Sequence, residues 1–222
     1  MEYLDQVTAV VDYTKESFQY AALLIVLAPT IWNLLARLEY HTRFITQLAG
    51  GYPTIGCYLL ALWIFSFSGY RDMMAGKAME EQPQLELLDS IAVKGVAGVL
   101  FAVGMTFVLS SMYALGITGT YLGDYFGILL DSKVTGFPFS VLNHPMYVGA
   151  SLCFFASALW YASPAGLVLA LLASIAYFAA SKFEGPFTRR IYSLRRKELA
   201  HYREMQRKKQ EKAQLKAKAK KL

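Results

Sequence analysis

Between Pro145 and Ser181 the chain runs for 37 residues without one charged side chain. As a single straight helix that run would extend about 55 Å, nearly twice the roughly 30 Å of a bilayer's hydrocarbon core. A break is therefore required, and Ser163-Pro164-Ala165-Gly166 supplies it midway. The pattern predicts two short helices, about Met146 to Tyr161 and Ala165 to Lys182, closed into a tight hairpin. Three further uncharged runs approach membrane length. Tyr20 to Ala36 has 17 residues and contains Pro29 and Asn33. Phe44 to Tyr70 opens with a Gly50-Gly51-Tyr52-Pro53 turn, leaving about Thr54 to Tyr70 as helix. Gly95 to Gly123 follows Lys94 and is expected to stop as a helix near Gly116, where Gly116, Gly119 and Gly123 crowd together. Composition agrees: 55% of residues are hydrophobic and 17% charged, whereas soluble domains carry about a quarter charged. The fold class expected is all-α, a polytopic membrane protein of about four or five membrane helices with a C-terminal helical hairpin.

The net charge of +6 belongs to one end of the chain. From Pro186 to Leu222 there are 14 Lys and Arg against Glu198, Glu204 and Glu211, while the preceding residues are net −5. A basic tail alone suits nucleic acid, but joined to an apolar body it reads as a cytoplasmic anchor facing anionic headgroups. Counting back through a closed hairpin puts the 117–145 segment on the cytoplasmic side and the 71–90 segment on the lumenal side. Lys218 and Lys220, five and three places from the end, match the pattern of a dilysine retrieval signal. Glu2, Asp5, Asp12 and Glu16 make an acidic start unlike a cleaved signal peptide. Cys57 and Cys153 have no C-x-x-C spacing and form no set with the three histidines, so neither a zinc site nor a disulfide framework is expected.

Chemistry is concentrated between the third helix and the hairpin. Gly119-Thr-Tyr-Leu-Gly-Asp-Tyr-Phe-Gly127 is followed by a stretch ending Asn143-His-Pro-Met-Tyr147-Val-Gly149, with Asp124, Asp131, Lys133, Asn143 and His144 as isolated polar groups. Non-helical backbone at membrane depth survives only where protein or a wet cavity satisfies its amides, so this loop should fold back over the helices. The competing reading is an interfacial loop whose Tyr and Phe anchor at the headgroups.

From Val108-Leu-Ser-Ser through the Gly-Asp-Tyr-Phe-Gly and Asn-His-Pro-Met-Tyr elements to Glu184-Gly-Pro-Phe-Thr, the chain resembles the phosphatidylethanolamine and phospholipid N-methyltransferases, most nearly the small eukaryotic type that completes phosphatidylcholine synthesis. Trp32-Asn33 and Ala36-Arg-Leu-Glu-Tyr-His-Thr-Arg43 extend the likeness to nearly all of the chain except the tail. The resemblance implies S-adenosylmethionine as methyl donor, membrane phospholipids as acceptors, no metal, and residence in the endoplasmic reticulum membrane, with a mitochondrial membrane as the alternative. It also implies two donor-binding motifs. A Gly-x-Gly aligns with Ala102-Val103-Gly104 and a Glu-Glu pair with Glu184-Gly185, so Ala102 and Gly185 depart from the family pattern. On this reading residues 1–186 form the membrane-embedded methyltransferase domain and 187–222 the basic tail.

A lipid ammonium with a pKa of about 10, by analogy with lysine, has no lone pair until it loses a proton, which gives a base something to do. His144 has the suitable unperturbed pKa, and Asp124 is the other catalytic candidate, by attracting the ammonium. Glu184 is the expected carboxylate for the donor's positive charge, against a structural role paired to Lys182, Arg189 or Arg190. Gly104 as a donor contact competes with the ordinary use of glycine where membrane helices pack. Tyr125 and Tyr147, with Tyr121 and Phe126 beside them, offer π faces to a sulfonium or a methylated ammonium. Two other functions fit parts of the pattern. An isoprenylcysteine carboxyl methyltransferase shares the His-Pro-x-Tyr-x-Gly element, and a scaffold would use the loop merely to seal the helices.

Overall fold

The computed structural model describes residues 10–132 and 134–219, the last eight of these as backbone alone. The acidic Glu2 and Asp5, Lys133 and Lys220 lie outside the described residues. In chain order come α1 (Glu16–Thr42), a short α2 (Phe44–Leu48), α3 (Pro53–Glu80), α4 (Ile91–Thr120), a 3-10 turn (Gly123–Phe126), α5 (Pro145–Trp160) and α6 (Pro164–Ala219). Helices α1, α3, α4 and α6 are long and apolar enough to cross a membrane, and α5 is a shorter apolar helix. The chain is an all-α polytopic membrane protein. Its outward face agrees with that: Leu34, Leu62, Phe65, Val99 and Phe178 are exposed large apolar side chains, a surface that suits hydrocarbon rather than water.

The breaks fall where turn chemistry demands. Gly50 (φ 70°) and Gly51 (φ 86°) take left-handed backbone ahead of Pro53, the first residue of α3. Gly116 leaves helical geometry inside α4, at φ 65° and ψ −179°. The hairpin turns at 161–163, where Ala162 is left-handed and the Ser163 hydroxyl accepts from the Gly166 N–H at 3.1 Å, capping α6.

Two extents differ from the sequence expectation. Helix α3 runs ten residues past Tyr70 to Glu80. Charge at Arg71 and Asp72 suggested a membrane boundary, but Arg71 is only 4% exposed and both its Nε and Nη2 donate to Asp72, at 2.9 and 2.8 Å. The 71–90 loop therefore shrinks to 81–90, tied down where the Leu85 N–H meets the Ala162 carbonyl at 2.9 Å. Helix α6, for its part, continues through Pro186 instead of ending at Lys182.

Packing divides the chain into a unit of residues Met1–Glu184 and a second of Gly185–Leu222. In the first, α1 lies against α3 and α4 against α5. The core joins Ile25 and Trp32 of α1, Leu60 and Met79 of α3, Phe154 of α5 and Leu169 of α6. Before α1, the Asp12 N–H donates to the Gln82 side chain at 2.8 Å, and that amide donates back to the Asp12 carbonyl at 2.7 Å. In the second unit each of the three acids pairs with a tail cation: Glu198 with Arg195, Glu204 with Lys208 and Glu211 with Arg207.

Candidate active site

Glu184 is the convergence point of the first unit. One of its carboxylate oxygens accepts from the Trp32 indole N–H at 3.0 Å and from the Asn33 amide at 2.8 Å, both on α1. The Tyr147 hydroxyl, from the first turn of α5, lies 2.8 and 2.7 Å from the two oxygens. These hydrogen-bond partners are neutral donors that orient the carboxylate, and the Arg37 guanidinium acts on the same carboxylate through its charge. One turn after Asn33, Arg37 donates to the Phe183 carbonyl at 3.1 Å and lies over the Phe183 ring at 5.8 Å. The Asn33 side-chain oxygen is buried and has no hydrogen-bond partner among the described residues, an acceptor left over beside the acid. The structural alternative set out above, an acid paired with Lys182, Arg189 or Arg190, does not describe these contacts.

Aromatic surface surrounds the carboxylate. Tyr147 stacks on Tyr177 of α6 at 5.2 Å with 17° between planes, and the His144 ring lies 6.4 Å from the Tyr147 ring. His144 is the residue before Pro145 and stands at the start of α5, exposed. The start of α5 thus carries both His144, the candidate base, and a hydrogen-bond donor to the Glu184 carboxylate.

Asp124 and Tyr125 belong to the 3-10 turn, which packs against α1, α3 and α4. Tyr125 is fully enclosed, at 0% exposure, and Phe126 nearly so. The 3-10 turn at the head of the apolar loop folds into the protein, whereas Phe137 and Val141 further along are exposed. The turn's anchor is Arg43, whose guanidinium donates to the Phe126 carbonyl at 2.8 Å. Arg43 is itself left-handed (φ 58°) between α1 and α2. Behind it the buried Glu39 accepts from the Ile45 N–H at 2.7 Å, the Thr46 N–H at 3.1 Å and the Thr46 hydroxyl. Arg43→Met leaves that carbonyl without its charged donor. Limited proteolysis is expected to cleave the 117–145 segment several-fold faster in this variant, the loss of about 1 kcal/mol of local stability. Unchanged cleavage would show that the turn needs no anchor.

Ala102, Val103 and Gly104 are separated by the helix's own geometry. Ala102 and Val103 are exposed on α4, whereas Gly104 is buried against α5. A β-carbon on Gly104 would stand 2.7 Å from the Gly149 carbonyl and 2.8 Å from the Cys153 sulfur. Gly185 is half-buried, and a β-carbon there would lie 3.3 Å from the Arg189 guanidinium. Glu184 and Tyr147 are therefore brought together with Trp32, Asn33 and Tyr177, and Gly104 lies at the back of the helix that carries Tyr147. Trp32, Asn33 and Tyr177 were not among the site residues expected from sequence. Asn33, an amide inside an apolar run, was the available signal. Among the described residues no group of three or more His, Cys, Asp or Glu is placed to hold a metal ion.

Comparison with known proteins decides the family. The sequence signature described as phospholipid methyltransferase matches residues 93–195. The phosphatidyl-N-methylethanolamine N-methyltransferase of Emericella nidulans is 49% identical over 190 residues, which cover 86% of this chain and 92% of that one. This chain belongs to the phospholipid methyltransferase family. The protein of the same name from Saccharomyces cerevisiae is 46% identical over 88% of this chain and 95% of its own length. The phosphatidylethanolamine N-methyltransferase of Rattus norvegicus is 48% identical over 82% and 91%. No solved structure matches.

Proposed function

We propose that this chain transfers methyl groups from S-adenosylmethionine to the headgroup amine of a phospholipid, acting on monomethyl- and dimethyl-phosphatidylethanolamine, and on phosphatidylethanolamine, to yield phosphatidylcholine. The observation that carries the reading is the Glu184 carboxylate held by neutral donors within aromatic surface. The relatives are named for this chemistry and match along almost their whole length.

The residues suit the donor. A carboxylate whose hydrogen-bond donors are neutral, with the Arg37 guanidinium acting on it by charge, keeps part of its charge available to a cation. The unpartnered Asn33 oxygen adds an acceptor for an N–H, and the Tyr147 and Trp32 rings offer π faces. When bound, S-adenosylmethionine supplies an electrophilic methyl group on a positively charged sulfur. Glu184 binds and orients that charge from within α6, where the apolar part of the helix ends, with Gly185 and the Ala102-Val103-Gly104 segment as the rest of the family's donor motifs. Gly104 acts by letting α5 approach closely enough to present Tyr147. His144 accepts the proton that the lipid ammonium must lose to become a nucleophile, and Asp124 draws the ammonium toward the loop. Tyr147 faces the methyl-bearing cation, while the enclosed Tyr125 holds the turn. Holding nitrogen and methyl in line is the main contribution to rate.

We place the enzyme in the endoplasmic reticulum membrane, with residues 1–186 as the catalytic domain and 187–222 as a cytoplasmic basic tail. The test is methyl transfer by purified protein in nanodiscs containing the three ethanolamine lipids, with prenylcysteine offered alongside. Label from the donor is expected in monomethyl, dimethyl and choline headgroups. Label in prenylcysteine alone, or in no acceptor, rejects the proposal.

A further inference from the structure

We infer that Arg71 and Tyr177 are positioning residues that set the Tyr147 hydroxyl on Glu184 and thereby tune affinity for the methyl donor. The inference rests on the reading of Glu184 as the donor's carboxylate. A buried arginine is costly, and chains that keep one pair it or use it. Asp72 accounts for the pairing, yet Asp72 remains 56% exposed while the Arg71 side chain is 5% exposed. A guanidinium satisfied by an outward-lying carboxylate is free to follow it toward water along its flexible stem. Arg71 instead lies under two rings, 5.3 Å from the centre of Phe154 and 5.8 Å from that of Tyr177.

From there the contacts continue without interruption. Tyr177 stacks on Tyr147 at 5.2 Å, and the Tyr147 hydroxyl reaches both oxygens of Glu184 at 2.8 and 2.7 Å. Each link fixes the next. The cation on its face limits the rotation of Tyr177, and the stacked Tyr177 ring limits that of Tyr147. Only a fixed Tyr147 keeps its hydroxyl between two oxygens instead of swinging to one side. Without the stack Glu184 retains Trp32 and Asn33 on one oxygen and is free to turn about that point. Arg71 and Tyr177 act through Tyr147 and contact neither donor nor lipid in this scheme. A site is held to catalytic tolerance by such supporting shells.

Steady-state kinetics of the full chain in nanodiscs of phosphatidylcholine and dimethyl-phosphatidylethanolamine test this. KM for S-adenosylmethionine, KM for the lipid and kcat are measured for Tyr177→Leu, Tyr177→Phe, Arg71→Lys and the charge-neutral pair Arg71→Met with Asp72→Asn. Tyr177→Leu and the neutral pair are expected to raise the donor KM about tenfold with the lipid KM unchanged, the effect of loosening one hydrogen bond to a charged group. Arg71→Lys keeps the cation and is expected to retain the wild-type donor KM, whereas Tyr177→Phe keeps the ring but loses its hydroxyl's contact with Arg71 and is expected to raise the donor KM less than Tyr177→Leu does. Partial misfolding lowers the apparent kcat but not KM, which reports only molecules that turn over; where turnover is lost, equilibrium binding of labelled donor gives the same comparison. A wild-type donor KM in Tyr177→Leu overturns the inference, as does failure of both Tyr177→Leu and the neutral pair to fold, which would make the column structural. Glu184→Gln separates the two levels. An unchanged donor KM in that variant overturns the donor-site reading, whereas a raised one with Tyr177→Leu unaffected overturns only the positioning role.

Discussion

Glu184→Gln is expected to weaken binding of S-adenosylmethionine about a hundredfold and to reduce methyl transfer at least as much, on the scale of removing one partner from a desolvated charge pair. Glutamine is the informative replacement because it keeps the shape and removes the charge. Three donors converge on the native carboxylate: the Trp32 indole, the Asn33 amide and the Tyr147 hydroxyl. A glutamine side chain can keep its oxygen toward Trp32 and Asn33 and turn its NH2 toward the Tyr147 hydroxyl, which accepts as well as donates, so the hydrogen bonds can be retained. The protein then loses its attraction for a cation while the group stays oriented. Glu184→Asp retains the charge but draws it back by a methylene from partners now at 2.7–3.0 Å, and an intermediate loss is expected. Equilibrium binding of labelled donor to purified protein decides the matter independently of turnover. Glu184→Gln protein that binds the donor as tightly as wild type would remove the carboxylate from the donor site, whatever its activity.

Much of this arrangement was legible along the chain, for reasons that are local. The hairpin followed from an uncharged run too long for one crossing with a Ser-Pro-Ala-Gly break inside it, and the turn stands at 161–163. Gly116 ended the regular part of α4 because three glycines crowd there. Glu184 stood out as an acid at the end of an apolar run. What the sequence concealed depends on partners distant in the chain. Arg71 looked like a boundary charge because nothing nearby shows that Phe154 and Tyr177 will cover it. Glu39 is fully buried and satisfied by the backbone of α2, which its neighbours in the sequence do not foretell. The donors on Glu184 come from Trp32 and Asn33, some 150 positions away. The helix end expected at Lys182 was equally misleading, since a charge closes the apolar run without ending the helix, and Pro186 removes one backbone donor but does not oblige the chain to stop.

Gly149→Ala is expected to be strongly disruptive although it adds a single methyl. A β-carbon at that position would stand 2.5 Å from the Gly104 carbonyl oxygen, 3.0 Å from the Phe107 β-carbon and 3.1 Å from a Val108 methyl. The first of these is backbone and cannot rotate away. Helices α4 and α5 must separate, and overpacking of this kind costs about 1–3 kcal/mol. Gly104→Ala meets the Gly149 carbonyl at 2.7 Å from the opposite side and is expected to behave alike. Gly98, on the same helix, has nothing within 4 Å of its would-be β-carbon, so Gly98→Ala serves as the control that changes helix propensity without changing packing. Thermal unfolding in nanodiscs should therefore rank Gly149→Ala and Gly104→Ala well below wild type and Gly98→Ala at or above it. Since α5 carries Tyr147 at its first turn, separating the helices also moves the hydroxyl away from Glu184, and donor affinity should fall together with stability. Helix contact and donor contact thus make different demands on Gly104. If Gly104→Ala keeps wild-type stability while losing donor binding, the glycine touches the donor directly and the close crossing of α4 and α5 is not what it is for.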